Sequence, residues 1–369
     1  MERNGILRIC GTDYTEMTGR LLESASLVCL LESKGKGRDL KIAIKPNLVT
    51  CSPAQYGATT HPEIVEGIVK YLKENGFNDI TIMEGSWAGD STEKALEYCG
   101  YNALAEKYDL KVIDTKKEAA VAVNVEGTDI NVCRCALQTD FLINVPVLKG
   151  HCQTKMTCAL KNMKGLIPDS EKRRFHRLGL HSPIAYLNTI VHQDFIVVDQ
   201  ICGDPYFEEG GRPLVRNRIL CGLDPVLIDT FAIKELGLPE KCVEYVNLSE
   251  ALGVGKSTGL KVTDIGEVPP AEETAECILD VSYAVDDADS CSDCYAYLTM
   301  ALNRLQEEGL LEKLGTDRIS IGQGHRENKN IKKIGIGNCC TGAEIHVPGC
   351  PPDEDEIYET LKKYLESKE

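Results

Sequence analysis

The chain has 369 residues, and 41 basic against 57 acidic side chains leave a formal net charge of −16. Hydrophobic residues at 43% and charged residues at 27% can build a core, which excludes global disorder. No apolar run reaches the roughly 18 residues of a membrane-spanning helix, the start Met1-Glu2-Arg3-Asn4-Gly5 is too polar for a secretory signal, and the acidic balance disfavours nucleic-acid backbone. The expectation is a cytoplasmic protein of two domains, with neither membrane nor nucleic acid as partner.

Lys41-Ile42-Ala43-Ile44-Lys45 is short, apolar and β-branched and stops at Pro46, so it reads as a strand. Between His61 and Asn75, Ile64, Val65, Ile68, Val69 and Leu72 recur at helical spacing. Thr60 supplies an N-cap, Pro62 the first turn and Gly76 the stop. Asp79-Ile80-Thr81-Ile82-Met83-Glu84 is the next strand, and strand–helix–strand at this spacing implies a parallel sheet. Helices over 92–99 and 103–108, a strand over 110–114, a buried strand over 141–145, strands over 195–199 and 218–221, and a helix over 224–236 follow. The segment 262–290, with Pro269-Pro270 and many acids, reads as a linker. A helix over 292–308, strands over 318–321 and 333–336, and a helix over 353–366 close the chain. The fold class expected is α/β: a mainly parallel sheet with flanking helices over 1–261, the linker, and a smaller α/β module over 291–369 that carries clustered cysteines.

Seventeen cysteines are many for a chain without a signal peptide, where a disulfide framework is a poor explanation. Isolated ones pack as small hydrophobes; the clustered ones carry chemistry. The tail holds Cys291-Ser292-Asp293-Cys294, Gly337-Asn338-Cys339-Cys340 and Val347-Pro348-Gly349-Cys350-Pro351-Pro352. A cluster needs four converging thiolates, and a Cys-x-x-Cys turn gives two. Cys294 and Cys350 fall near helix starts, where the backbone favours anions. Cys291, Cys294, Cys339 and Cys350 are therefore the expected ligands, with Cys340 left out though able to exchange with Cys339. An iron–sulfur cluster of the 4Fe-4S kind ranks first, structural zinc second, a redox dithiol third and plain packing last. The Gly-Cys-Pro-Pro element resembles the cluster loop of hydrogenase and complex I small subunits, over a few residues only.

The middle of the chain is basic. Lys149-Gly150-His151, Lys155, Lys161-Asn162-Met163-Lys164-Gly165, His176 and His181 lie close together, and Lys45-Pro46-Asn47 caps an earlier strand. Ligands of parallel sheets bind outside the carboxyl ends of strands, where Lys45, Asn47, Lys149, His151 and Asp199 all fall. Lysines converging in an acidic protein suggest a small anionic ligand. The ordinary alternative for any one of them is a solvated face, and for a lone histidine a structural hydrogen bond. His61 reads as part of a helix start, and Asp224 as an N-cap. We expect Lys149 and His151 as catalytic groups, His151 giving the proton, and Lys45, Asn47, Lys155, Lys161, Asn162, Lys164, His176 and Asp199 as substrate-binding.

Lys45-Pro46-Asn47-Leu48, His61-Pro62, Asn144-Val145-Pro146-Val147-Leu148-Lys149-Gly150-His151, Ala159-Leu160-Lys161-Asn162-Met163-Lys164-Gly165, Val198-Asp199 and Asp224-Pro225-Val226-Leu227-Ile228-Asp229 occur in this order. The series resembles the domain of unknown function 362 over roughly residues 40–240, with Lys-Asn-x-x-Gly its most specific part. The resemblance implies ferredoxin-like cluster segments. Here the usual run of closely spaced cysteines is replaced by the Gly-Cys-Pro-Pro tail, and Gly150 stands where members often carry Thr. Gly253-Val254-Gly255-Lys256-Ser257 contains Gly-Lys-Ser, but Glu250 occupies the first glycine position of a phosphate loop. The function expected is an iron–sulfur oxidoreductase or electron carrier acting on a small anion with a redox partner protein. The alternatives are a zinc-binding or metallocofactor maturation protein and, more weakly, a metal-dependent hydrolase or ligase.

Overall fold

The computed structural model describes residues 1–210, 213–269, 281–326 and 331–368. They form two compact units, Met1–Ala275 and Glu276–Glu369. The strands in chain order are β1 Gly5–Cys10, β2 Ile42–Pro46, β3 Ile80–Glu84, β4 Lys111–Asp114, β5 Ala120–Val125, β6 Thr128–Cys133, β7 Phe141–Val145, β8 Lys149–His151, β9 Lys155–Thr157, β10 Phe195–Gly203, β11 Leu214–Gly222 and β12 Lys261–Ile265 in the first unit, then β13 Val285–Asp287, β14 Ile319–Ile321, β15 Ile334–Ile336 and β16 Ile345–Val347 in the second.

In the first unit an eight-stranded sheet runs β12-β1-β11-β10-β7-β2-β3-β4. It is parallel except where β11 pairs with β1 and β10. The central strands are buried along their whole length, which is why they read as unbroken apolar runs rather than alternating ones. Alternate residues nevertheless serve different faces. Ile42, Ile44, Ile143 and Val145 pack with Leu21, Ile64, Ile68 and Leu72, whereas Ala43, Leu142, Ile196 and Val198 pack with Ile184, Leu187, Val226 and Tyr245. Two helical layers thus enclose the sheet. The helix Pro62–Glu74 begins with its proline in the first turn and ends where Gly76 takes φ +81°.

Two expectations need correction. Residues 262–265 are not linker: β12 pairs in parallel with β1 and completes the sheet edge, so the first unit continues past residue 261 to Ala275. Its composition is polar because the strand is exposed at the edge. Residues 285–287 are β13 of the second unit. The rest of the predicted linker falls partly on 270–280, outside the described residues. The hairpins β5–β6 and β8–β9 and the strand β16 escaped the sequence reading: β8, β9 and β16 have three residues each, too few to show a period, and Ala120-Val121-Ala122-Val123 does not alternate polar with apolar.

The second unit is a four-stranded sheet in order β13-β14-β15-β16, every pair parallel. Helices Ser292–Glu307 and Glu354–Glu366 bury Leu298, Leu302, Leu305, Ile357, Leu361 and Leu365 against Ile319, Ile321, Ile334 and Ile336. Asp353 caps the second helix by accepting from the Glu356 N–H.

Candidate functional site

The carboxyl ends of β2, β3, β7 and β10 carry the buried charges of the first unit. Lys45, on β2, is fully buried, and its Nζ donates to Glu84 Oε2 on β3 at 2.6 Å and to the Pro46 carbonyl at 2.8 Å. Glu84 also accepts from the Leu48 and Gly85 N–H groups. Burial lowers the Lys45 pKa, and Glu84 opposes that. Gly165 closes over this pair: a Cβ there would lie 1.9 Å from Glu84 Oε1 and 2.5 Å from Lys45 Nζ. The glycine of Lys-Asn-x-x-Gly is therefore required by packing.

Asp199, on β10, accepts from both the backbone N–H and the ring Nδ1 of His61 at 2.8 Å. Burial works against a charged His61 ring, but Asp199 and then Cys202 hold its pKa up to about 10. Cys202 Sγ lies 3.7 Å from His61 Nε2. His61 stands just before the helix Pro62–Glu74, as expected, and is in addition half of a buried ion pair.

Amides form a further network. Asn162 donates to Asn144 Oδ1 at 2.7 Å, Asn144 to Gln193 Oε1 at 2.6 Å, and Gln193 to Asn188 Oδ1 at 2.7 Å. Asn47 Oδ1 accepts from the Val49 N–H at 3.2 Å. Lys45, Asn47, Asn162 and Asp199, expected as substrate groups, are thus engaged by internal partners. Lys155, the first residue of β9, is exposed and has φ +68°.

A different group gathers around β8. Lys149 is buried, and its Nζ donates to the Ala58 carbonyl and, at 2.6 Å, to the Glu208 carbonyl. Burial and the Lys161 charge bring its pKa down to about 7. Lys161 Nζ reaches Thr157 Oγ1 at 3.3 Å, and burial lowers its pKa to about 8 against the pull of Glu208 and Cys152. Lys164, half-buried, is held well below its usual value by desolvation and by Lys161 and Lys172. Burial and the Lys164 and Lys161 charges also push His176 down. Among the described residues none of these three lysines has a carboxylate at ion-pair distance. Nothing in composition marked them as buried; only the fold did.

His151 accepts from the Gln153 and Thr154 N–H groups at Nδ1, at 3.1 and 3.3 Å, which puts the proton of a neutral ring on Nε2, 3.3 Å from Glu208 Oε1. Burial and the surrounding lysines hold its pKa well below the ordinary histidine value. The expected proton donor is therefore committed to Glu208, a residue the sequence reading missed because it lies on the loop after β10. Cys152 Sγ lies 3.1 Å from Glu208 Oε1, and the Cys152 N–H donates to Glu208 Oε2 at 3.1 Å. One ligand atom each from His151, Cys152 and Glu208 lie within 4.8 Å of one another, a group able to hold a metal ion.

The Gly-Lys-Ser loop holds no phosphate cradle. The Lys256 N–H donates to Asp224 Oδ2 and Ser257 bonds Glu250, while Asp224 Oδ1 caps the helix Pro225–Glu235. A cavity of about 340 Å³ lined by Lys34, Phe141, His192 and Asp194 opens at the amino ends of β7 and β10, away from the lysines.

In the second unit every cysteine segment among the described residues leaves the carboxyl end of a parallel strand. Cys291 and Cys294 follow β13, Cys339 and Cys340 follow β15, and Cys350 follows β16. The segment after β14 contributes Gln323, which donates to Cys291 Sγ at 3.2 Å, and Arg326, whose Nε donates to Cys339 Sγ at 3.3 Å. Arg326 is raised by Cys339 first, and also by the charges of Cys350 and Cys291. A hydrogen bond from Cys294, helped by Gln323 and Arg326 against partial burial, lowers Cys291 to about 6. Cys340 is buried, and burial raises it to about 11.

A family model described as "Domain of unknown function (DUF362)" matches residues 42–234. Over 157 residues the chain is 29% identical to the thylakoid-associated protein sll1697 of Synechocystis sp., covering 41% of this chain and 48% of that protein, so the chain spans about half the length of that curated relative. The lactate racemase apoprotein from Thermoanaerobacterium thermosaccharolyticum aligns with a TM-score of 0.39 at 13% identity, over 59% of this chain and 54% of that one.

Proposed function

The chain belongs to the DUF362 family, and from that starting point we propose a two-part metalloprotein: an α/β unit that binds a small oxyanion, and a C-terminal unit whose cysteines hold an iron–sulfur cluster. The activity is that of an oxidoreductase or an electron carrier, with a redox protein as partner. The observation that carries this reading is the exit of all three cysteine segments from one edge of an all-parallel sheet, with Arg326 of the fourth loop sensing Cys339, Cys350 and Cys291.

The donor set suits such a group. Cys291, Cys294, Cys339 and Cys350 would hold it; Cys291 is acidified, and the half-exposed Cys339 is a better donor than buried Cys340. When bound, the cluster would supply one-electron chemistry. Guanidinium and amide donors at the sulfurs are the kind of contact that stabilises negative charge there. In the first unit Lys161 and Lys164, without a carboxylate at ion-pair distance among the described residues, would bind the oxyanion, with His176 beside them. Lys149 positions the 204–210 loop through its bond to the Glu208 carbonyl. Among the described residues no helix is long and apolar enough to cross a membrane; a cytoplasmic location belongs to this proposal.

Oxygen-free purification of the full chain tests the cluster. Iron and acid-labile sulfide in equal amount, with a paramagnetic resonance signal on reduction, are the expected result. A colourless protein with stoichiometric zinc on the tail cysteines would instead favour the zinc-binding or maturation alternative. Calorimetry with inorganic phosphate tests the oxyanion part: binding should be lost in Lys161→Met and Lys164→Met.

A further inference from the structure

We propose that His151, Cys152 and Glu208 form a second metal site, in the DUF362 unit itself, for a divalent transition ion of the zinc class. Two segments distant in sequence are brought together to make it. His151 ends β8 and Cys152 begins the turn to β9, while Glu208 comes from the loop after β10.

That loop is tied down at several points. The Gly150 N–H donates to the Asp204 carbonyl at 2.7 Å, and Asp204 Oδ1 accepts from the Tyr206 and Phe207 N–H groups. A Cβ at residue 150 would lie 2.3 Å from the Pro205 carbonyl oxygen. A threonine there would push the loop away and separate Glu208 from His151 and Cys152. Gly150, which leaves room for the Pro205 and Tyr206 backbone, is thus what permits the three ligands to meet.

The spacing suits a tetrahedral ion. Bonds of about 2.0–2.1 Å to nitrogen or oxygen and about 2.3 Å to sulfur put neighbouring ligand atoms about 3.3–3.6 Å apart in such a set. Cys152 Sγ lies 3.1 Å and His151 Nε2 3.3 Å from Glu208 Oε1, and one ligand atom from each of the three lies within 4.8 Å of the others. A nitrogen, a sulfur and an oxygen donor together prefer zinc, iron or cobalt over magnesium or calcium.

Charge also balances. Without metal the partly buried Cys152 keeps its proton, because desolvation and Glu208 both disfavour the thiolate. On binding, that proton leaves to solvent as a metal–sulfur bond forms, and the His151 ring exchanges its Nε2 proton for one on Nδ1, giving up the Gln153 and Thr154 N–H bonds so that Nε2 can bond the ion, with no change of oxidation state. Thiolate and carboxylate then cancel the two positive charges of the ion. Three protein ligands leave a fourth position for water or an anion. The metal site does not depend on phosphate binding, and the two tests can fail separately.

The test is a cobalt(II) titration of the full chain carrying Cys339→Ser and Cys350→Ser, which removes two expected tail donors. One equivalent with a thiolate-to-cobalt charge-transfer band is expected. Adding Cys152→Ser should abolish the band. Adding Glu208→Gln should weaken binding by at least roughly tenfold, the lower end of what even outer-shell changes cost. X-ray absorption of the loaded protein should show one sulfur with nitrogen or oxygen neighbours. Absence of the band, or its survival in Cys152→Ser, overturns the proposal. Should Cys152→Ser lose its circular dichroism signal, Glu208→Gln decides, and unchanged affinity there overturns it equally.

Discussion

Two sets of buried cations lie in the same unit, and they differ in what faces them. Lys45 and His61 each meet a carboxylate, Glu84 at 2.6 Å and Asp199 at 2.8 Å. Lys149 meets backbone carbonyls, Lys161 a hydroxyl, and Lys164 no carboxylate at ion-pair distance among the described residues. A buried charge with its counter-charge in place belongs to the architecture. One without it costs stability that the fold alone does not recover, which is the expected signature of a site awaiting an anion.

The sharpest way to break that comparison is to remove one cation from each set. Lys45→Met strands Glu84 and should cost about 3–5 kcal/mol in denaturant unfolding. Lys161→Met, which strands no carboxylate and gives up only the 3.3 Å bond to the Thr157 hydroxyl, should be near neutral or stabilising. Equal losses would erase the distinction. Next in size, phosphate at about 100 times its dissociation constant should stabilise the wild type by about 2.7 kcal/mol and Lys161→Met hardly at all. A thermal shift retained in that variant would move the anion elsewhere.

Gly165→Ala should cost about 1–3 kcal/mol, because the new methyl meets the Lys45–Glu84 pair at 1.9–2.5 Å and must displace it. Combining it with Lys45→Met should be less than additive, since one contact is then lost already. A further effect is a slope in pH. His61 titrates near 6.5 when unfolded and near 10 when folded. Its raised folded value means that the stabilisation is complete below about pH 6.5 and lost as pH rises through about 10. His61→Gln should flatten the stability profile across that interval, and an unchanged profile would remove His61 as its source.

The central strands were legible because burial on both faces leaves continuous apolar runs, as in Phe141–Val145, predicted and observed with the same bounds. The Asp224 N-cap was legible because capping is a local event. Glu208 was not: nothing in its neighbourhood marks it, and it acquires meaning only when the loop after β10 folds over Gly150. Lys45 and Asn162 read as ligand contacts because residue type reveals charge and polarity but not the partner that satisfies them.

By itself, then, the chain's order of residues determined the α/β class, the positions of most helices and central strands, and the presence of basic and cysteine-rich segments, since these depend on periodicity and local chemistry. Tertiary structure decided which lysines are neutralised, which thiols share one sheet edge, and that His151, Cys152 and Glu208 meet. Those are relations between segments distant along the chain, and strand pairing and loop closure, rather than composition, set the distances on which electrostatics acts.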